Sequence, residues 1–246
     1  MMRITRAIAI LSSFVVLTSA SAKVSASNLN LEPDMSATPH EELTAFLMRE
    51  PAESNRLAGK RVAMVAVNGA DAVTLQLARD YLTEQGAAVD VVTPRRRVES
   101  AKLDQEPLDE LLVTARDYAG NERFIPVAAL LDEADPRSYA AIYLPGNHPD
   151  AQSLESNPEI AGFVAQAIHS GRPIFAIGDA ALLLARGNLL AGGHATAARG
   201  LQSFLFWSGV EVYDEPVVRD DLIYTSRDAF DLPRLMSAMM EALTTP

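Results

Sequence analysis

The chain has 246 residues and a formal net charge of −11, and its composition is 48% hydrophobic and 22% charged. That length and composition fit one globular domain with a large core, and they exclude a disordered or fibrous chain. The acidic composition argues against nucleic acid as a partner, because phosphate backbones are bound by clustered Lys and Arg. The sequence contains no cysteine, so no disulfide, thiolate metal site or cysteine nucleophile can form.

The first 22 residues have the pattern of a secretory signal peptide. Arg3 and Arg6 precede an apolar run at 7–17, which small residues follow. We expect cleavage after Ala22, with Ala26 as the alternative site. The apolar run is shorter than the roughly 20 residues that a membrane-spanning helix needs. The sequence therefore predicts a periplasmic or secreted protein with no membrane partner after cleavage.

Residues 23–58 are predicted to be a linker that contains one short helix. The first part of the linker is polar, whereas 41–49 places three apolar side chains on one helical face: Leu43, Phe46 and Leu47. We expect this helix to pack on the domain, and docking onto a partner is the alternative. The domain itself is predicted to span residues 59–246.

From residue 59 onward the pattern alternates between strands and helices. The predicted strands cover 61–67, 88–92, 140–145 and 173–178, and the predicted helices cover 71–85, 158–170 and 179–185. Short apolar strands rich in β-branched residues are typical of parallel strands that are buried on both faces. The sequence therefore predicts an α/β fold with a mostly parallel sheet. Residues 108–115 fit a helix or a strand, and 123–127 fit an edge strand.

The last of these strands meets the next helix without room for a loop. Several hydrolase families place a nucleophile on such a turn, beside the amides of a helix N-terminus. The turn strains any residue that has a Cβ, whereas the residue at its pivot here, Gly178, tolerates positive φ. We therefore expect the shape of the turn to be kept without a nucleophile.

Six segments occur in an order that resembles the ThiJ/PfpI family. They are residues 60–67, 139–146, 171–179, 187–190, 214–218, and 225–227 together with 231–233. The resemblance covers residues 59–243. It implies a three-layer sandwich of the class I glutamine-amidotransferase-like, flavodoxin-like type. It also places the chain among deglycases, peptidases and chaperones.

Carried over residue by residue, the resemblance implies that the functional positions of the family are altered. Active members have Cys at the position of Gly178 and His at the position of Asp179. The acidic residue that follows the first strand falls on Asp71. The Pro-Gly-Gly turn of the family keeps Gly146 but has Asn147 in place of its second glycine. The familiar activities of the family proceed through a thiolate adduct, which this chain cannot form.

A closer resemblance is to the C-terminal domain of large-subunit catalases, which also lacks the catalytic Cys and has no known catalytic role. It implies a structural or chaperone-like role. Because the nucleophile is missing, we favour a non-catalytic module that binds a small molecule or another protein, and we expect no cofactor and no metal. The expected binding residues are Gly146, Asn147, Gly178 and Arg227. A purely structural subunit of a homodimer is a third possible function, since members of this fold often dimerise.

Asp71, Asp179 and His148 allow an alternative function. Both Asp residues should lie at the carboxyl ends of parallel strands, the edge where open α/β sheets bind ligands. If the two carboxylates converge with His148, one of them would have a raised pKa and serve as the general acid or base of a hydrolase or lyase. Alternatively, the two carboxylates together would hold a cation. Each Asp also fits the N-cap of a helix, and His148 also fits an exposed loop.

Three further groups have simpler interpretations. Arg227 follows a predicted strand and is expected to bind an Asp or a ligand carboxylate. One aromatic group is expected to pack a helix against the domain: Phe204, Phe206 and Trp207. The methionines near the C-terminus are expected on the buried face of the last helix: Met236, Met239 and Met240.

Overall fold

A computed structural model describes residues 39–49, 54–95, 112–117, 119–146 and 157–245. The described helices are α1 (Pro39–Met48), α2 (Ala72–Glu84), α3 (Pro158–His169), α4 (Ala180–Arg186), α5 (Gln202–Trp207) and α6 (Leu232–Thr244). The predicted signal peptide, residues 1–22, lies outside the described residues. None of the described helices is long and apolar enough to cross a membrane.

The described strands belong to three sheets. They are β1 (Arg61–Val65), β2 (Ala70–Asp71), β3 (Ala88–Thr93), β4 (Leu112–Arg116), β5 (Glu122–Pro126), β6 (Ala129–Leu130), β7 (Ala141–Leu144), β8 (Ile174–Ile177), β9 (His194–Ala195), β10 (Glu211–Val212), β11 (Val217–Asp220) and β12 (Ile223–Ser226). The central sheet has the order β11-β12-β8-β7-β1-β3-β6. Only its β11–β12 pair is antiparallel among the described strands. The predicted α/β fold with a mostly parallel sheet is confirmed.

The two faces of the central sheet carry separate apolar cores. Val62 and Met64 of β1 contribute to the core under α1, α2 and α6. Ala63 and Val65 contribute to the core under α3 and α4. Because successive side chains of a strand point to opposite faces, β1 is buried on both sides, as its continuous apolar sequence predicts. Helices on both faces of one sheet give the three layers that the resemblance to the ThiJ/PfpI family implies.

Helix α3 shows how completely the apolar spacing specifies a buried face. All four residues predicted for that face are buried: Ile160, Phe163, Val164 and Ala167. The helix begins after Asn157, whose side chain accepts hydrogen bonds from the Glu159 and Ile160 amides. It stops before Gly171, which has a φ of +73°.

Helix α1 packs on the domain, as one of the two alternatives predicts. It begins at Pro39, two residues before the predicted start, within the segment predicted as linker. The Phe46 ring is buried, with its centroid 5.2 Å from that of Tyr81 on α2. The Arg234 guanidinium of α6 donates two hydrogen bonds of 2.6 Å to the Glu42 carboxylate. The helix is therefore held to the domain by both apolar and ionic contacts.

Two ambiguous segments are resolved where the structure describes them. Residues 112–116 form strand β4 rather than a helix, and β5 pairs with β4 at an edge of the three-stranded sheet β2-β4-β5, as predicted. The C-terminal helix α6 buries its methionines, also as predicted: Met236, Met239 and Met240.

Helix α5 contradicts the sequence prediction. Its aromatic side chains are exposed rather than packed: Phe204 is 56% exposed, Phe206 63% and Trp207 83%. Leu205 alone of the six residues of this helix is buried. A helix of fewer than two turns presents little more than one position to the core, so its other apolar side chains face outward.

Candidate functional site

The elbow between β8 and α4 has the predicted shape. Gly178 has a φ of +67°, and α4 begins two residues later. The Gly178 N–H donates a hydrogen bond of 3.0 Å to the carbonyl oxygen of Ser226 on β12. A methyl group built on Gly178 would have the Arg227 carbonyl oxygen as its nearest neighbour, at 3.8 Å. The elbow therefore has space for a side chain, and only the backbone conformation favours glycine.

Asp179 does not cap α4 with its side chain. It occupies the N-cap position with a φ of −72° and a ψ of −14°, and it makes no side-chain hydrogen bond to the helix amides. An N-cap side chain normally reaches those amides from an extended backbone, and Asp179 is already helical. Its carboxylate instead lies against Gly146: a methyl group built on Gly146 would be 3.1 Å from Asp179 Oδ1. Asp179 is therefore the N-cap residue by position, but the prediction that its side chain caps the helix is wrong.

Asp71 does cap the helix that follows it. Its Oδ1 accepts a hydrogen bond of 2.8 Å from the Thr74 N–H, and the residue is buried. Its own N–H donates a 2.8 Å hydrogen bond to the Gly146 carbonyl oxygen. Beneath the cap, the Tyr143 hydroxyl donates to the Thr74 carbonyl oxygen at 3.2 Å. Burial raises the pKa of Tyr143, and the negative charge of Asp71 adds to the effect.

Gly146 is where the two acidic residues meet. The Asp71 N–H is hydrogen-bonded to its carbonyl oxygen, and Asp179 Oδ1 lies 3.1 Å from the place that a methyl group on Gly146 would take. The structure therefore brings Asp71, Gly146, Gly178 and Asp179 together at the carboxyl ends of β7 and β8, the edge that the sequence predicts. Asn147 and His148 lie outside the described residues. Within the part of the chain that is described, no three His, Asp or Glu side chains are grouped to hold a metal ion.

Arg227 binds two carboxylates of the protein. Its Nε donates to Asp231 Oδ2 at 2.6 Å, and its Nη1 donates to Asp214 Oδ1 at 3.0 Å. These bonds, chiefly the one to Asp231, raise the pKa of the guanidinium. Burial raises the pKa of Asp231, and Arg227 opposes that effect. Asp214 is the more exposed partner, so a ligand carboxylate would reach Arg227 by replacing it.

Sequence reasoning missed a group of buried hydroxyls beside the elbow. Thr196, Thr225 and Ser226 are all fully buried, and the Thr225 hydroxyl oxygen accepts the Thr196 N–H at 2.9 Å. The hydroxyls of Thr196 and Ser226 have no hydrogen-bond partner within the described segments. Two consecutive polar residues at the end of an otherwise apolar strand were the signal in the sequence. Asp231 was missed as the partner of Arg227, because the two residues are joined by a short loop and a single 3₁₀ turn that follow β12 and not by an α-helix.

Comparison with known protein families shows which family this chain belongs to. The model of the DJ-1/PfpI family matches residues 60–242. The chain belongs to the DJ-1/PfpI family. This confirms the resemblance to ThiJ/PfpI proteins and agrees with the class I glutamine-amidotransferase-like fold.

Two curated relatives in the DJ-1/PfpI family match part of the chain. Protein/nucleic acid deglycase 2 of Escherichia coli (strain K12) is 33% identical over 114 residues, which is 46% of this chain and 65% of the relative. DJ-1 protein homolog F of Arabidopsis thaliana is 27% identical over 160 residues, which is 64% of this chain and 39% of the relative. The chain therefore spans less than two thirds of the length of either relative.

Solved structures of DJ-1/PfpI proteins share the fold. A two-domain protein from Anabaena variabilis, with DJ-1/ThiJ/PfpI-like and ferritin-like domains, superposes with a TM-score of 0.62 and 23% identity, over 75% of this chain and 48% of that one. DJ-1beta of Drosophila melanogaster superposes with a TM-score of 0.60 and 17% identity, over 75% of this chain and 90% of that one. At these identities the similarity establishes the fold alone.

Proposed function

We propose that this protein is a non-catalytic member of the DJ-1/PfpI family that binds a small molecule or another protein at the carboxyl edge of its central sheet. The observation that carries the proposal is the elbow, which has the backbone of a nucleophile turn but a glycine, Gly178, at its pivot. The chain has no cysteine at any other position. A thiolate adduct therefore has no sulfur atom on which to form.

The polar groups around the elbow support a binding role. Asp179 directs its carboxylate toward Gly146 instead of the amides of α4. Ser226, paired with Ile177 in the sheet, has a buried hydroxyl with no partner among the described residues. A buried polar group without a partner costs about 1–3 kcal/mol. A ligand group that reached Ser226 would remove that cost.

The resemblance to the C-terminal domain of large-subunit catalases supports the same proposal. That domain also lacks the catalytic Cys and carries a glycine followed by an acidic residue at the end of the corresponding strand. A role in binding or assembly, rather than turnover, is what this resemblance implies for Gly178 and Asp179.

One observation favours a second function, a hydrolase or lyase that uses carboxylates with His148. Asp71 and Asp179 meet at the same residue, Gly146. Against it, Asp71 Oδ1 accepts the Thr74 N–H and is held at the start of α2. Capping leaves that oxygen less available to move a proton, so the binding role is the better supported of the two.

Turnover assays separate the two functions. The wild-type protein is incubated with methylglyoxal and with amide and ester substrates, with and without divalent metals. We expect no turnover above the uncatalysed rate. Asp71→Asn is the matched variant, because Asn caps a helix as well as Asp does but cannot serve as a base. Turnover by the wild type that Asp71→Asn or Asp179→Asn abolishes would contradict the proposal and establish the carboxylate enzyme.

A cysteine introduced at the elbow tests whether Gly178 stands at the position of a nucleophile. Since Gly178 has space for a Cβ, Gly178→Cys should fold, and the amides at the start of α4 should lower the pKa of its thiol below the roughly 8.5 of a free Cys. The thiol should add to the aldehyde carbon of methylglyoxal and give a hemithioacetal, detected by intact mass. A thiol that titrates like free Cys would show that this residue does not sit at a nucleophile position.

Export is part of the proposal and is tested separately. The charged start at Arg3 and Arg6, the apolar run and the small residues before Lys23 support it. Protein recovered from the periplasm or medium should begin at Lys23 on N-terminal sequencing, and Ala22→Arg should block processing. A chain that keeps its first residue and stays in the cytoplasm would overturn this part of the proposal alone.

A further inference from the structure

Helix α5 presents three exposed aromatic side chains within four consecutive residues. We call Phe204, Phe206 and Trp207 the α5 aromatic patch. The Phe206 and Trp207 rings contact each other edge to face, with centroids 5.6 Å apart. Leu205 is fully buried and anchors the helix on the core that also packs α3 and α4. Exposed apolar surface of this kind marks a site that contacts a protein or a membrane.

No charged residue interrupts the segment that carries the patch. Residues 200–210 have no charge, and most of them are exposed. The charged residues at the two ends of this segment are already paired within the chain. Arg199 donates a hydrogen bond of 3.3 Å to Asp214, and Glu211 accepts one of 2.7 Å from the Tyr213 hydroxyl. The segment therefore enters a less polar medium without burying an unpaired charge of its own.

The carbonyl oxygens beside the patch have hydrogen-bond partners within the chain. The Ser208 N–H lies 3.1 Å from the Phe204 carbonyl oxygen and 3.0 Å from that of Leu205, and its hydroxyl donates to Phe204 at 2.8 Å. The Gly209 N–H donates to the Phe206 carbonyl oxygen at 3.0 Å, and its φ of +80° turns the chain back toward the helix. A backbone carbonyl without a partner is costly in lipid. A helix end closed in this way therefore suits the boundary between water and lipid.

The size of the patch favours a membrane over a protein partner. A fully buried aromatic side chain removes about 150–250 Å² from water, so three side chains exposed to this extent offer roughly 400 Å². A standard protein interface buries about 800 Å² on each partner and has a rim of polar groups that pair across it. The charges that flank this patch are paired within the chain instead. A lipid surface needs no such rim, since binding strength there scales with the apolar area inserted.

From these observations we propose that the α5 aromatic patch inserts into the headgroup region of a zwitterionic lipid bilayer. Trp207 is the most exposed of the three side chains, and Trp is enriched at the boundary between membrane and water. The net charge of −11 disfavours an anionic membrane, because like charges repel. The sequence-based expectation of no membrane partner concerned membrane-spanning helices, and an interfacial contact needs none. The proposal does not depend on the elbow, because α5 lies outside the cluster around Gly146 and Gly178.

The single tryptophan makes insertion directly observable. Trp207 is the only Trp in the sequence, so its emission reports on the patch alone. On titration with phosphatidylcholine vesicles the emission should shift to the blue, and lipids brominated on their acyl chains should quench it. We expect weak, reversible binding, with an association constant on the order of 10⁴ M⁻¹, as for a single lipid anchor. An emission that stays unchanged up to about 10 mM lipid, a hundredfold above the expected midpoint, would overturn the proposal.

Matched variants test the surface. Phe206→Ser should lower the association constant about tenfold, because an inserted Phe side chain is lost. Ser203→Glu should weaken binding as well, since Ser203 lies on the same helical face as Phe206 and Trp207 and the variant puts a charge into the inserted surface. Phe124→Ser is the control, because Phe124 on β5 is 67% exposed but lies outside the patch. Binding that Phe206→Ser leaves unchanged, or that Phe124→Ser abolishes, would contradict the proposal.

The charge of the lipid and the state of the protein without lipid complete the test. Replacing part of the phosphatidylcholine by phosphatidylglycerol at low salt should weaken binding, and about 1 M salt should restore it, since the Debye length is then about 3 Å. Stronger binding to the anionic vesicles would contradict the choice of a zwitterionic membrane. The apolar run at 7–17 would itself contact lipid in an unprocessed chain, so the readout is Trp207 emission and not the amount of protein bound. Circular dichroism checks that each variant folds. A Trp207 emission that shifts to the blue with protein concentration alone, together with a dimer in sedimentation velocity, would assign the patch to a second copy of the chain and overturn the membrane proposal.

Discussion

Replacing Gly178 by alanine tests whether the elbow is kept by backbone conformation alone. The φ of +67° places the residue in the left-handed region, which costs an L-residue with a Cβ about 1–2 kcal/mol. The new methyl group meets no atom closer than 3.8 Å, so it adds no steric cost. We therefore expect Gly178→Ala to lower the free energy of unfolding by about 1–2 kcal/mol. In a domain of this size that is a fall in Tm of about 2–6 °C.

Two other glycines separate the backbone contribution from the steric one. Gly59 has a φ of +75° and no atom within 4 Å of a built methyl group, so Gly59→Ala measures the backbone cost alone. At Gly146 the methyl group would lie 3.1 Å from both Asp179 Oδ1 and the Ile177 carbonyl oxygen. Gly146→Ala should cost about 1–3 kcal/mol through overpacking, and it should also displace Asp179.

Urea unfolding followed by circular dichroism gives the three free energies. Gly178→Ala and Gly59→Ala should have similar costs, since both residues have a positive φ and neither built methyl group meets an atom closer than 3.8 Å. If Gly178→Ala proves several times more destabilising than Gly59→Ala, the elbow has no room for a side chain. The turn could then not carry a nucleophile.

Three more predictions concern the packing of α1 on α2. The Tyr81 hydroxyl is buried and has no hydrogen-bond partner among the described residues. Tyr81→Phe should therefore stabilise the protein by about 1 kcal/mol at neutral pH. If urea unfolding shows a lower free energy of unfolding for the variant, the hydroxyl has a partner. Burial raises the pKa of Tyr81 from 10.0 to about 12, so the tyrosine ionises at a lower pH in the unfolded chain than in the folded one. The free energy of unfolding should therefore fall by about 3 kcal/mol as the pH rises from about 10 to about 12. Tyr81→Phe should remove this loss. Phe46→Ala should cost about 3 kcal/mol or release α1 to limited proteolysis; an unchanged cleavage pattern and Tm would show that α1 does not depend on this contact.

The fold was predictable because its signals are local and repeat along the chain. Apolar spacing in α3 specified all four of its buried residues, and the continuous apolar run of β1 predicted burial on both faces. The elbow was predictable for a similar reason, since a strand that meets a helix at Gly178 leaves few other backbone conformations. Each of these features depends on a few consecutive residues, which a sequence shows directly.

The parts that could not be predicted depend on contacts between distant segments. Asp179 follows a strand and precedes a helix, which is the usual place for a cap. Its carboxylate lies instead against Gly146, which is 33 residues earlier in the sequence. Trp207 is apolar and helical, so periodicity alone would bury it. Only the shortness of α5 and the position of Leu205 decide that Trp207 faces outward.

Gly178 at the elbow also gives a physical reason for the proposed role in ligand binding rather than catalysis. A side chain held at positive φ stores about 1–3 kcal/mol of strain, and an active site keeps such strain because the side chain performs chemistry. Gly178 holds the same backbone without that strain, so the turn here needs no compensating interaction. A fold that keeps the turn without the strained side chain keeps the nearby carboxylates but loses the nucleophile. The polar groups that remain at this edge are the Asp71 and Asp179 carboxylates beside Gly146, and the proposed binding role rests on them.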